Sequence, residues 1–411
     1  MKNWKAACAL LSLGAMATHA YAGFTQTNWE QIDGIVTSTG PYVVQTDLAA
    51  PLVEAWFGSA VATWHDAASG DDWAVVGAPA EDTFSGAAYV FRHATGDSDW
   101  HQEARLTAND ATVGSRFGDS VAIDATTIVV GAPGHADDFF IGAAYVFVRD
   151  ASTGDWTQQG DEFNASDREF GYAVAIHGDS LVVGDPGSNA VWTFSRSAAT
   201  WSMGTKLTPS LSIVDGNFGA SLAFDGTRLL IGAPTDSAVA TNQGSVAVYE
   251  TDGRDWLEQQ ILRPEIDTSA QQLFGAVLAA ADESIAIGAP MQNSSTGDVH
   301  LFARDMMSHA WVEQSLLKPI STGHIQRFGD AIAIQNARLV VGASGAQTVS
   351  VYRAVSGGWS LDSKLRGDGL FGIAVATTGD SVIVGAPIVG DLAQGTAHVF
   401  IDDRIFADSF D

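Results

Sequence analysis

The sequence predicts an all-β protein: a closed ring of seven blades, each a four-stranded antiparallel sheet, with the last blade completed by a strand from the beginning of the chain. Three observations predict it. A Phe-Gly pair recurs seven times, a Gly-Ala-Pro-like marker follows every pair, and a tryptophan opens a further apolar stretch after most of them. Composition agrees, because 46% hydrophobic and 17% charged residues are too apolar for a disordered chain, and 43 glycines point to short strands and tight turns.

The segment 1–22 reads as an export signal. Lys2 and Lys5 precede an apolar run from Ala6 to Ala17 and the small-residue end Ala20-Tyr21-Ala22, so cleavage is expected before Gly23. That run is shorter than the roughly 20 residues a membrane-spanning helix needs. Export implies a protein that is secreted, on the cell surface or in the periplasm. Cys8 is the only cysteine and would leave with the signal. The remaining chain then has no disulfide, zinc-thiolate centre or cysteine nucleophile. A formal charge of −28 repels phosphate backbones and anionic membranes, so nucleic acid is not an expected partner and the acidic surface mainly confers solubility.

The Phe-Gly pairs are Phe57-Gly58, Phe117-Gly118, Phe170-Gly171, Phe218-Gly219, Phe274-Gly275, Phe328-Gly329 and Phe371-Gly372. The second markers start at Gly77, Gly131, Gly184, Gly232, Gly288, Gly342 and Gly385. The step from Phe to marker Gly is identical in the last six repeats, as from Phe117 to Gly131, and longer only in the first, from Phe57 to Gly77. Between them lie two apolar runs and a short turn, as in Tyr172 to Ile176 and Leu181 to Val183, which is a β-hairpin. Asp225-Gly226 suits a two-residue turn, since both residues accept positive φ. The runs are nearly continuous in apolar character, as expected of strands covered on both faces by neighbouring blades.

A loop and a third strand follow, as in Gly86 to Phe91, Gly142 to Phe147 and Gly244 to Tyr249. A fourth strand opens at Trp100, Trp156, Trp201, Trp256, Trp311 and Trp359, usually leading to a leucine, as at Leu106, Leu207 and Leu365. The seventh repeat ends after its third strand. Trp29-Glu30-Gln31, unassigned before the first Phe-Gly, is therefore expected to supply the missing outer strand and close the ring, which removes two exposed sheet edges. The segment 23–402 then forms one propeller, expected to be a monomeric ring, followed by a short acidic tail, 403–411. Phe between blades contributes about 1.5 to 3 kcal/mol by burial, its Gly lets backbones approach, and Pro ends the second strand.

Phe-Gly followed by Gly-Ala-Pro, repeated seven times over roughly 29 to 400, resembles the FG-GAP repeat propeller of integrin α-subunits and of many bacterial secreted proteins. The resemblance implies extracellular recognition or adhesion through loops on one face of the disc, with a protein or carbohydrate ligand. Integrin-like repeats often carry a calcium loop between their first two strands. The shorter step leaves no room for it in six repeats, and only the first, with Asp66, Asp71 and Asp72, brings three carboxylates near a glycine. Calcium there is the one cofactor to consider, although Ala68 and Gly70 stand where further oxygen donors would be wanted.

The loops after the second marker, 80–85, 134–141, 235–243, 291–296 and 388–394, vary while the framework does not, which makes them the expected binding surface. Glu81 and Asp82 in the first, and Asp137, Asp138, Phe139 and Phe140 in the second, are the candidate contacts, with packing under the loop as the alternative for the phenylalanine pair. Arg366-Gly367-Asp368 spells an adhesive tripeptide but sits in a short link where a turn explains it. Histidines such as His135, His177, His300 and His398 are scattered without metal-ligand spacing, and no set of catalytic residues converges in the linear sequence. A non-enzymatic binding or adhesion module is the leading expectation. A secreted hydrolase or lyase with a site assembled at the propeller axis is the alternative.

Overall fold

The structure, a computed structural model, describes residues 37–49, 55–135, 141–165, 168–209, 216–266, 270–319, 325–335, 337–387 and 395–402. The segment 1–22 expected to be an export signal, Trp29 and the 403–411 tail lie outside the described residues.

The strands form seven antiparallel sheets, six of four strands and one of five. The first blade runs outward from Val61–His65 through Asp72–Ala78 and Ala87–His93 to His101–Leu106. Each later blade repeats that order. The inner strands touch one another in sequence, and the seventh, Ala374–Thr378, touches Val61–His65 of the first, which closes the ring. Second strands such as Thr127–Ala132 and Arg228–Ala233 are buried along their whole length, which explains why they read as unbroken apolar runs.

Hydrophobic clusters form between blades. Trp73 and Val75 of the first blade pack with Phe117, Ile128 and Val130 of the second. At the closing interface Phe57, Val76 and Tyr89 of the first blade pack with Ile383, Ala397 and Val399 of the seventh. That last junction is built like the others.

Phe-Gly proves to be the centre of a tight turn. In all seven blades the N–H of the residue after Gly donates to the carbonyl of the residue before Phe, as in Ser59 to Trp56, Asp119 to Arg116 and Ile373 to Leu370. The seven glycines hold φ between +86° and +98°, as the third position of a type II turn requires. All seven phenylalanines are buried. The marker glycine completes the contact: a Cβ on Gly77 would stand 1.9 Å from the carbonyl oxygen of Gly118 in the next blade, and one on Gly385 would stand 2.0 Å from that of Gly58. The two sequence markers are thus the two halves of one contact, repeated around the whole ring.

The N-terminal end closes the seventh blade, as expected, but the strand that does so is Tyr42–Ala49, paired antiparallel with Thr396–Asp402. Trp29 was the wrong landmark for a reason visible in the spacing. Tyr42 precedes Leu48 at the same interval as Trp100 precedes Leu106 and Trp256 precedes Leu262. The pairing slips at Gln45, as the outer strands of the fourth and fifth blades slip at Gln259 and Gln314. The Arg338 guanidinium lies 5.6 Å over the Tyr42 ring, matching Arg228 at 4.9 Å over Trp311. Upstream, Thr37–Thr39 adds a fifth strand to the sixth blade by pairing with Lys364 to Arg366.

Candidate functional site

Links from second to third strands, and from each outer strand to the next Phe-Gly, share one face of the disc. They are hydrogen-bonded to one another. Arg116 N–H donates to Phe84 O at 2.7 Å, Leu273 N–H to Asn242 O at 3.2 Å and Arg327 N–H to Ser295 O at 2.9 Å, each bond joining the link of one blade to the loop of the blade before. Backbone bonding of this kind makes the described part of the face a pre-formed surface.

Beneath the loops lie buried polar anchors. Glu81, only 2% exposed, accepts the Tyr89 hydroxyl at 2.7 Å and Arg105 Nε at 2.7 Å. Burial, then the Glu81 carboxylate, pushes the Tyr89 phenol up to about 12. The corresponding residues elsewhere act alike: Asp236 accepts the Ser245 hydroxyl at 2.8 Å and Arg263 Nη2 at 2.7 Å, and Gln292 Oε1 lies 3.0 Å from His300 Nε2. His300 Nδ1 lies 2.6 Å from Glu313, with both side chains fully buried. Glu81 therefore holds its loop from below, whereas Asp82 is exposed and takes Arg105 Nη2 at 3.0 Å. Asp137, Asp138, Phe139 and Phe140 lie outside the described residues, as does the loop 388–394.

The three carboxylates of the first hairpin go to different partners. Asp66 accepts the Ala68 N–H at 2.9 Å and the Ser69 hydroxyl at 2.8 Å, and the Ser69 bond is the main reason its carboxyl titrates below the usual range. Asp71 accepts Arg92 Nη2 at 2.7 Å and Thr95 N–H at 2.9 Å. Asp72 meets His65 Nδ1 at 2.7 Å and takes the Thr378 hydroxyl from the seventh blade at 3.0 Å. The loop itself is a tight hairpin closed by Asp66 N–H to Asp71 O at 2.8 Å and Gly70 N–H to Asp66 O at 2.7 Å, a pattern repeated at Asp150–Asp155 and Asp305–Ala310. Among the described residues no group of three or more His, Cys, Asp or Glu side chains is placed to hold a metal ion. In the tripeptide Arg366-Gly367-Asp368, Gly367 N–H donates to Gln347 O at 3.3 Å and Asp368 O accepts Phe371 N–H at 3.1 Å, so it forms the link into the seventh blade.

Trp56 and Phe84 were not singled out from the sequence. Asp82, Thr83 and Phe84 all adopt left-handed backbone, with φ of 49°, 60° and 65°, and Trp56 does so at 52°. Their rings meet edge to face, centroids 5.3 Å apart, and Phe84 stays 40% exposed. Val113, Val239, Ile266 and Ile325 are further exposed apolar residues on links of this face. The signal available beforehand was a phenylalanine within the otherwise polar run from Glu81 to Ser85.

Comparison with known proteins agrees with this architecture. The segments 100–147 and 201–249 match the FG-GAP repeat family. No curated protein matches the chain. Among solved structures, a protein from Lactobacillus plantarum aligns over 78% of this chain and 93% of its own, at 14% identity and a TM-score of 0.54. A functionally unknown protein from Desulfotomaculum acetoxidans aligns over 74% and 85%, at 11% identity and 0.50. Sqt1 of Saccharomyces cerevisiae aligns over 87% and 98%, at 11% identity and 0.50. Identities this low show a shared fold and nothing finer. No helix among the described residues is long and apolar enough to cross a membrane. With the seven sheets and the Phe-Gly turn in every blade, the chain is a seven-bladed β-propeller, two segments of which match the FG-GAP repeat family.

Proposed function

We propose that the chain is a non-enzymatic binding or adhesion module that works outside the cytoplasm and recognises protein or carbohydrate through the loop face. One observation supports this most. The links and loops of that face are hydrogen-bonded to one another from blade to blade, and five exposed apolar residues, Phe84, Val113, Val239, Ile266 and Ile325, lie on it. Pre-formed backbone reduces the ordering cost of binding, and scattered apolar side chains among polar neighbours supply contact area. The acidic charge directs the reading away from nucleic acid and anionic surfaces.

Glycan arrays and arrays of extracellular proteins, probed with the purified chain lacking the segment 1–22, test the reading. Specific binding that is lost on Phe84→Ser or Val239→Ser, with no turnover of polysaccharide, ester or phosphodiester panels, is the expected result. Turnover would favour the hydrolase or lyase alternative.

A further inference from the structure

The loops of the first and fifth blades share one backbone. In both, three successive residues are left-handed: Asp82, Thr83 and Phe84 at 49°, 60° and 65°, and Asn293, Ser294 and Ser295 at 52°, 60° and 68°. Ala80 N–H donates to Ala55 O at 3.1 Å in one, and Met291 N–H to Gln272 O at 3.3 Å in the other. The residue before each Phe-Gly, Trp56 and Leu273, is left-handed as well.

The side chains differ where the backbone does not. The fifth blade completes this conformation with Leu273, 6% exposed, and with Ser295, so the fold does not require aromatic rings at either place. The first blade has Trp56 and the exposed Phe84, edge to face at 5.3 Å. Left-handed backbone is costly for bulky side chains, and such strain persists where the surroundings over-determine it. Here Phe84 N–H donates to Ala80 O at 3.2 Å and Phe84 O accepts Arg116 N–H at 2.7 Å, which fixes the backbone that carries the ring. Beside it Arg105 joins the buried Glu81 to the exposed Asp82.

We propose that Phe84 and Trp56, flanked by Asp82 and Arg105, form a subsite for a neutral pyranose on the loop face of the first blade. The C–H face of the sugar ring stacks on the Phe84 ring. Its hydroxyls donate to the Asp82 carboxylate and accept from the Arg105 guanidinium, charged groups that make the stronger class of hydrogen bond. The chain's charge of −28 selects neutral over acidic sugars. The proposal rests on the loop-face reading and adds the ligand chemistry and the blade.

The test is saturation-transfer NMR of the full exported chain with a panel of neutral methyl pyranosides and their oligosaccharides, alongside a protein array. Phe84→Ser and Asp82→Asn convert the loop toward its fifth-blade counterpart and so are expected to fold, which thermal melting checks; Met307→Ser, in an exposed hairpin between the third and fourth strands of the fifth blade, is the control away from the loop face. Expected are transfer to at least one neutral pyranoside, roughly tenfold weaker binding in Phe84→Ser, a smaller loss in Asp82→Asn and none in Met307→Ser. Wild-type sugar binding that survives Phe84→Ser, or binding to proteins alone, overturns this subsite and leaves the loop-face reading standing. Absence of any ligand on either panel overturns both.

Discussion

Asp66, Asp150 and Asp305 each close a hairpin by accepting hydrogen bonds from residues two or three positions on. Bonds from the Ser152 hydroxyl first, then from Thr153 and Ser152 N–H groups, bring Asp150 down to about 2. A depressed carboxyl contributes stability that is present above its unfolded value near 4 and lost as pH falls through the folded value. Stability is therefore expected to decline from about pH 4 to pH 2, and Asp150→Asn to reduce that decline, as followed by urea melts across the window. Tyr89 gives the opposite limb. Its phenol is raised to about 12, so its stabilisation is intact below the unfolded value near 10 and lost as pH rises toward 12. Tyr89→Phe is expected to weaken alkaline unfolding in that interval, measured by the same melts.

The same residues show what the sequence could and could not reveal. Three carboxylates close together near a glycine resemble a cation loop on paper, but Asp66, Asp71 and Asp72 are claimed by Ser69, Arg92 and Thr378. Arg92 and Thr378 are distant along the chain, so a linear reading does not reach them. Calcium at millimolar concentration is expected to leave the melting temperature of the metal-free chain unchanged, since binding only the folded state would raise it.

Among elements, the Phe-Gly and Gly-Ala-Pro segments were legible because the same steric demand recurs in every blade. Their joint role was not, because Gly131 and Gly171, which meet across a blade interface, are distant in sequence. A Cβ on Gly131 would stand 1.9 Å from Gly171 O, and neither backbone can yield without moving a blade. Gly131→Ala is expected to cost more than about 2 kcal/mol in a denaturant melt, against the gain of roughly 0.4 to 1 kcal/mol that an unstrained Gly→Ala change brings. The outer strands were legible through tryptophan, and that was also the trap: ring closure uses Tyr42, so aromatic character and the spacing to Leu48 carry the signal. Tyr42→Ala is expected to cost about 3 to 5 kcal/mol, as for other fully buried aromatics, with the loss visible in thermal melts.

At the scale of the molecule, the ring is held by seven junctions of one design, of which the last joins the first blade to a sheet made from both ends of the chain. Asp47 of the closing strand meets His398 Nδ1 at 2.6 Å in that sheet. It is the sheet that needs a strand from the N-terminal end to complete its four, whereas Thr37–Thr39 only adds a fifth to the sixth blade, so it is where the ring is expected to open first. A disulfide between Asp47→Cys and His398→Cys, directly opposed in the antiparallel pair, tests this most directly in the chain lacking the segment 1–22, which has no other cysteine. Closure by Tyr42–Ala49 predicts spontaneous intramolecular oxidation, loss of both free thiols and a higher melting temperature that falls back on reduction. Thiols that remain free in the folded monomer, or that link only between molecules, would contradict it.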